Sequence, residues 1–239
     1  MSLYLDIYND FPLRCAEVWR STRAVAQSEG REVTLMLMAA TAGLATPWEH
    51  LKIQPGQAKD NRDHPAFNGF RESAYKHALK TVESALSPIA AESRLFVGTN
   101  CVRWGYGHAA NLGLIRNMVE RGEPPILALP ALRARDVVNL LRNALSHNNL
   151  YAFGGLGGSE ISHLTFFQEH ATREVGVKVV NGYDVLSMPV GEMEAFLENW
   201  FAMLEEVAHA NSETNRPLAA TLKLVISQAL EGDDARAAA

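Results

Sequence analysis

The chain is poor in cysteine, has no long apolar run and carries no surplus of positive charge, and each shortage closes off a class of function. Only Cys15 and Cys101 are present, far apart and with no C-x-x-C spacing, so neither a zinc cluster nor a disulfide framework is expected. A reducing cytoplasm is the expected compartment. The most apolar window, "VTLMLMAATAGLA" at 33–45, falls short of the roughly 20 residues a spanning helix needs, and it reads as a buried core helix. "MSLYLDIYND" contains acidic residues and no basic stretch, so it does not open like a secretory signal. A formal net charge of -5 leaves no global basic footprint for nucleic acid, and any polyanion would need a local patch. There is no G-x-S-x-G elbow, no H-E-x-x-H and no catalytic cysteine context. The "GGLGGS" run at 154–159 lacks the lysine and helix start of a phosphate-binding loop, so it reads as a flexible connector.

What remains is an ordinary globular composition, 47% apolar and 21% charged over 239 residues, enough for one domain with appendages. Helical signals dominate. Asp10 offers an N-cap and Gly30 a stop for a first helix, and a second is expected at 32–44. A short helix, "PWEHLK", precedes a loop at 53–65, and helical spacing returns at 66–86 with His77 as a packed or rim residue. Residues 88–103 give little signal. "GYGHAANLGLIRNMVERG" at 105–122 predicts a helix, "EPPILALP" interrupts it, and a further helix starts near Pro130. Beyond it the period changes to two: three short strands form an antiparallel meander at about 161–189, with Asn181-Gly182 as a type I′ hairpin turn. A late helix follows from 190, with Met193, Phe196, Leu197, Trp200 and Leu204 as its apolar stripe. Residues 1–210 are expected to form a single helical domain, and 211–239 a C-terminal helix and frayed tail.

Placed on a helical wheel at about 100° per residue, 134–147 divides cleanly. Ala134, Val137, Val138, Leu140, Leu141, Ala144 and Leu145 make one apolar face. The opposite arc holds Arg142, Arg135, Ser146, Asn139, Asn143, Asp136 and His147, with no lysine or glutamate. Asparagine is a poor helix former that offers amide hydrogen bonds, so helix propensity does not account for its use here. Asn143 and His147 are i and i+4 neighbours, whereas Arg142 and His147 stand about 140° apart and flank a site without touching. Two such helices facing each other across a two-fold axis would bring Arg142 of one chain toward His147 of the other. Histidine moves a proton near neutrality, and guanidinium grips a phosphate bidentately, a pairing suited to acyl or phosphoryl transfer without metal.

Arg142-Asn143-Ala144-Leu145-Ser146-His147 fits the R-x4-6-H motif, with a polar residue after the arginine, of the HEPN superfamily. The apolar "VVNLL" before it, the extended segments after it and the "MEAFLENWFAMLEE" helix resemble a HEPN subfamily typified by uncharacterised plasmid-encoded proteins. The resemblance covers about 130–207. It implies a mainly α fold, a HEPN-like helical bundle with a small antiparallel β meander inserted before a late helix, assembled as a homodimer. It further implies a metal-independent endoribonuclease, with neither metal nor cofactor, of the kind found in toxin-antitoxin, phage-defence and RNA-processing systems. His147 would be the acid-base group, Arg142 would hold the scissile phosphate, and Asn143 would orient the histidine or the substrate. Asn139, Arg135 and Ser146 would contact the RNA. A cognate antitoxin protein is a further implied partner, and a membrane is not. Other members are non-catalytic modules that bind nucleotide, RNA or protein, which is the alternative function. Many members carry alanine before the histidine and glycine after it, whereas Ser146 and Asn148 stand here; asparagine adopts a left-handed cap almost as glycine does.

A plainer reading of Arg142 and His147 is that they cap the helix C-terminus, where cations are favoured by about 0.3 to 1 kcal/mol. Charge is uneven: residues 103–142 hold six arginines against three acids, a net of +3, and 191–239 hold nine acids against three bases. His163 and His170 fit no common zinc spacing, and His50, His64, His108 and His209 have no partner recognisable from sequence.

Overall fold

A computed structural model describes residues 7–45, 72–121, 132–154, 160–174 and 177–209. The expected short helix at 47–52 with its following loop, the "EPPILALP" interruption, the connector beyond Gly154 and the segment 211–239 lie outside the described residues.

Helix α1 (Ile7–Ser28) is already under way before Asp10, which therefore sits inside the helix and does not cap it. It ends where expected: Gly30 takes φ +65°, and Arg31 N–H reaches back to Ala26 C=O at 2.7 Å, closing the last turn. Helix α2 (Glu32–Ala40) runs on into a π-helical turn at Thr41–Ala45. The wide turn brings Gly43 against the last helix, where its carbonyl accepts the Trp200 indole N–H at 2.8 Å. A Cβ on Gly43 would lie 2.4 Å from the Phe201 ring, so the contact requires glycine. Helix α3 (Glu72–Leu86) buries Val82, Ala85 and Leu86, while His77 lies exposed near Glu206. Three 3₁₀ turns then carry the chain across the core, burying Ala90, Leu95 and Phe96.

The 105–122 segment corrects the expected single helix. Residues Gly105–Ala109 form strand β1, and only Leu112–Glu120 form helix α4, capped by Asn111, whose Oδ1 accepts the Leu114 N–H at 3.0 Å. The physical reason is pairing with β4 along all five residues, a long-range contact that overrides weak strand propensity; it buries Gly105, Gly107 and Ala109 on one face and puts Tyr106 and His108 on the other.

Helix α5 (Ala134–Ser146) buries Ala134, Val137, Val138, Leu140, Leu141, Ala144 and Leu145, the whole predicted apolar face. Strand β2 (Leu150–Gly154) follows directly, then β3 (Ile161–Glu174) and β4 (Val177–Pro189). All pair antiparallel in the order β1-β4-β3-β2. Asn181-Gly182 does not form the expected turn. β4 runs through both residues, and the register shift opposite His170 and Ala171 makes them a bulge. Gly182, at φ +143°, lies so close under His108 that a Cβ would meet its Nε2 at 2.5 Å. This tertiary approach overrides the local turn preference.

The last helix occupies 190–209 in the described residues. Its predicted stripe is buried, joined by Phe201, Met203 and Val207, and it closes a core containing Trp19, Trp104 and Trp200. Arg20 and Arg23 of α1 pair with Glu198 and Glu194 on its outer side, contacts worth about 0–1 kcal/mol each where solvent screens them.

The expected mainly α bundle with a small inserted meander is overturned: the fold is mixed, with a four-stranded sheet as its central layer. Leu164, Phe166, Leu186 and Met188 face the helical core. Phe167 and Val185, alternate residues on the same strands, build a second, smaller core on the other face with Ala109 and Ile115 of α4. A sheet with a strand from before α5 and cores on both faces is a layer of the fold and not an insertion. Among the described residues no helix is long and apolar enough to cross a membrane.

Candidate functional site

The end of α5 is fixed to the sheet by its own backbone. His147 is the C-cap, Asn148 takes the left-handed conformation at φ 55°, and Asn149 N–H donates to Ala144 C=O at 2.8 Å while Asn148 N–H reaches Leu145 C=O at 3.3 Å. This is a Schellman termination with asparagine where glycine is usual. Asn149 C=O then accepts the Phe167 N–H at 3.1 Å, which seats the helix end on β3.

The polar residues of this helix divide into two groups. Ser146, His147 and Asn139 are exposed, and half-buried Arg135 lies 3.5 Å from the carboxylate of its neighbour Asp136. Arg142 and Asn143 are half-buried and joined, the guanidinium donating to Asn143 Oδ1. Burial pushes the Arg142 guanidinium below its ordinary range, a desolvation effect that leaves it cationic at neutral pH. Asn143 directs its amide to Arg142 and to the sheet, where its Nδ2 donates to Gln168 Oε1 at 2.7 Å. Arg142 and Asn143 are thus brought together, with His147 one turn further along at the solvent-facing terminus.

Gln168 carries the network onward. Its Nε2 donates to Asp184 Oδ2 at 3.4 Å, and Asp184 is the hub of a cluster that sequence reading missed. The Tyr106 hydroxyl donates to Asp184 Oδ1 at 3.3 Å, His170 Nδ1 stands 3.2 Å from the same oxygen, and His108 Nδ1 stands 3.7 Å from it. Burial first, and then the Asp184 charge, raise the Tyr106 phenol above its ordinary value, so it stays a protonated donor. Strand register accounts for the meeting: His108 pairs with Asp184, Gln168 with Asp184, and His170 with Gly182, so all project from the face that also carries Leu186 and Phe166. The apolar part of that face is covered by α5, and its far end is polar. The only sequence signal available was the alternation within β1, since His108 and Asp184 become neighbours only through a pairing of distant segments.

His163 lies on the opposite face of β3, stacked on Phe153 at 5.1 Å and within 3.0 Å of Ser162 Oγ. Burial, followed by the Arg103 charge, lowers its imidazole below the usual value. It is therefore separate from the Asp184 cluster.

No protein-family model, no curated protein and no solved structure matches the chain.

Proposed function

We propose that the chain is a metal-independent endoribonuclease of HEPN type, acting on RNA at a site that two copies complete. One observation carries the reading: α5 ends in a hydrogen-bonded Schellman turn that presents His147 to solvent, while Arg142 of the same helix is braced by Asn143. In this scheme His147 takes the proton from the ribose 2′-hydroxyl or returns one to the leaving oxygen, and the partner copy's guanidinium neutralises the scissile phosphate. Asn139, Ser146 and Arg135 lie along the same arc and contact the backbone of the strand. Asn143 acts on Arg142 and the sheet, a positioning role in place of the imidazole-orienting one its spacing suggested. A toxin or phage-defence role, with an antitoxin as restraining partner, belongs to the same proposal. It takes nothing from a bundle fold and rests on the α5 terminus alone.

RNA cleavage in EDTA tests it. The wild type cleaves RNA but not DNA, which lacks the attacking hydroxyl, and His147→Ala and Arg142→Ala each lose about 10²- to 10⁴-fold in rate. Mixing the two inactive variants restores about a quarter of the activity, because half of the dimers are mixed and each mixed dimer keeps one intact Arg-His pair. Undiminished cleavage by His147→Ala overturns the proposal. RNA bound without turnover by the wild type identifies a binding module instead.

A further inference from the structure

The Asp184 cluster lies outside the machinery just proposed, and it has the composition of a metal site. Three strands contribute one ligand type each: His108 from β1, His170 from β3 and Asp184 from β4. One atom from each lies within 4.8 Å of the other two. A tetrahedral zinc ion with bonds of about 2.0–2.1 Å sets its ligand atoms roughly 3.4 Å apart. The separations from Asp184 Oδ1, 3.2 Å to His170 Nδ1 and 3.7 Å to His108 Nδ1, bracket that value.

Three further features belong to the setting. Asp184 has only 15% of its side chain exposed, whereas His108 has 47% and His170 has 50%, so the carboxylate forms the floor and the imidazoles the rim. The floor is held from the flanking strands by Tyr106 and Gln168, donors to its two oxygens of the sort that orient a ligating carboxylate. Gly182, in the bulge, leaves the space that His108 occupies.

We propose that His108, His170 and Asp184 bind a divalent transition-metal ion, zinc being the best match to two imidazoles and one carboxylate, with the remaining coordination position open to solvent. Three protein ligands with an open position is the arrangement of zinc sites that carry water or an exchangeable anion. The inference does not rest on the ribonuclease reading: the three ligands are distinct from Arg142 and His147, the cluster meets that site through the Gln168–Asn143 hydrogen bond, and RNA cleavage in EDTA is read separately from metal uptake.

Equilibrium dialysis of the metal-stripped full chain against zinc, with metal counted by mass spectrometry, tests it directly. The wild type takes up one zinc per chain, cobalt in its place gives a visible absorption band of a nitrogen- and oxygen-ligated ion, and His108→Ala, His170→Ala and Asp184→Asn each abolish both signals. Gln168→Ala keeps the ligands but loses their support, and weakens binding about 10- to 100-fold. His163→Ala, on the other face of β3, binds as the wild type does. Circular dichroism of each variant separates lost ligation from lost fold, and His170→Gln preserves side-chain bulk if the alanine variant unfolds. Zinc uptake by the wild type equal to that of a folded His170→Gln chain overturns the proposal and leaves the cluster as a hydrogen-bonded one.

Discussion

At the scale of single residues, glycines mark where the backbone must come close to something else. Gly182 combines a positive φ with a Cβ position already occupied by His108 Nε2 and Ala109 C=O. Gly182→Ala is therefore expected to cost about 1–3 kcal/mol, read from urea denaturation, through strain at this φ and displacement of β1. Gly191, at the start of the last helix, has open space around its Cβ, and Gly191→Ala should leave stability unchanged or raise it by about 0.4–1 kcal/mol. Equal losses at both positions would show that neither conformation nor contact governs Gly182. Sequence alone pointed to Gly182 as a residue of special conformation but gave it the wrong task, because Asn-Gly signals a turn unless a distant strand occupies the space beside it.

At the scale of elements, the α5 terminus depends on a non-glycine residue in the left-handed region. Asn148→Gly should hold or slightly raise stability, and Asn148→Ala should cost about 1 kcal/mol in chemical denaturation, since alanine has neither glycine's freedom nor asparagine's local hydrogen bonding. An alanine variant as stable as the wild type would remove the Schellman turn from the account. This element was the most legible part of the chain: every apolar position assigned to the buried face of α5 is buried, since a period of 3.6 is a local property. The stripe of the last helix was legible for the same reason. β1 was not. Its five residues contain two glycines and no β-branched side chain, and their strand identity comes from pairing with β4. The same gap hid the His108–His170–Asp184 cluster, although both histidines had been weighed singly. Arg142, Asn143 and His147 could be grouped as candidates because their spacing is readable on one helix.

At the scale of the whole molecule, the sheet separates two cores of unequal size. The three tryptophans of the larger one, Trp19, Trp104 and Trp200, are fully buried, and the smaller one is closed by Ile115 against Phe167, Val185 and Ala109. Ile115→Ala leaves a cavity at the only buried residue of α4 and should cost about 2–5 kcal/mol. Denaturation followed by tryptophan fluorescence checks this, and a loss below about 0.5 kcal/mol would mean that α4 adds little to the sheet. The sheet order carries a consequence for folding as well. β3 and β4 are consecutive, so His170 and Asp184 are brought together by a local hairpin, whereas β1 joins them by pairing Ala109 with Tyr183, 74 positions further along the chain. Closing that larger loop costs more chain entropy than closing the hairpin, and contacts of such sequence separation slow folding. A partly folded chain can hold the hairpin and lack His108. The complete triad is thus present only once the longest-range pairing in the sheet has formed, which makes it a chemical reporter of the finished topology.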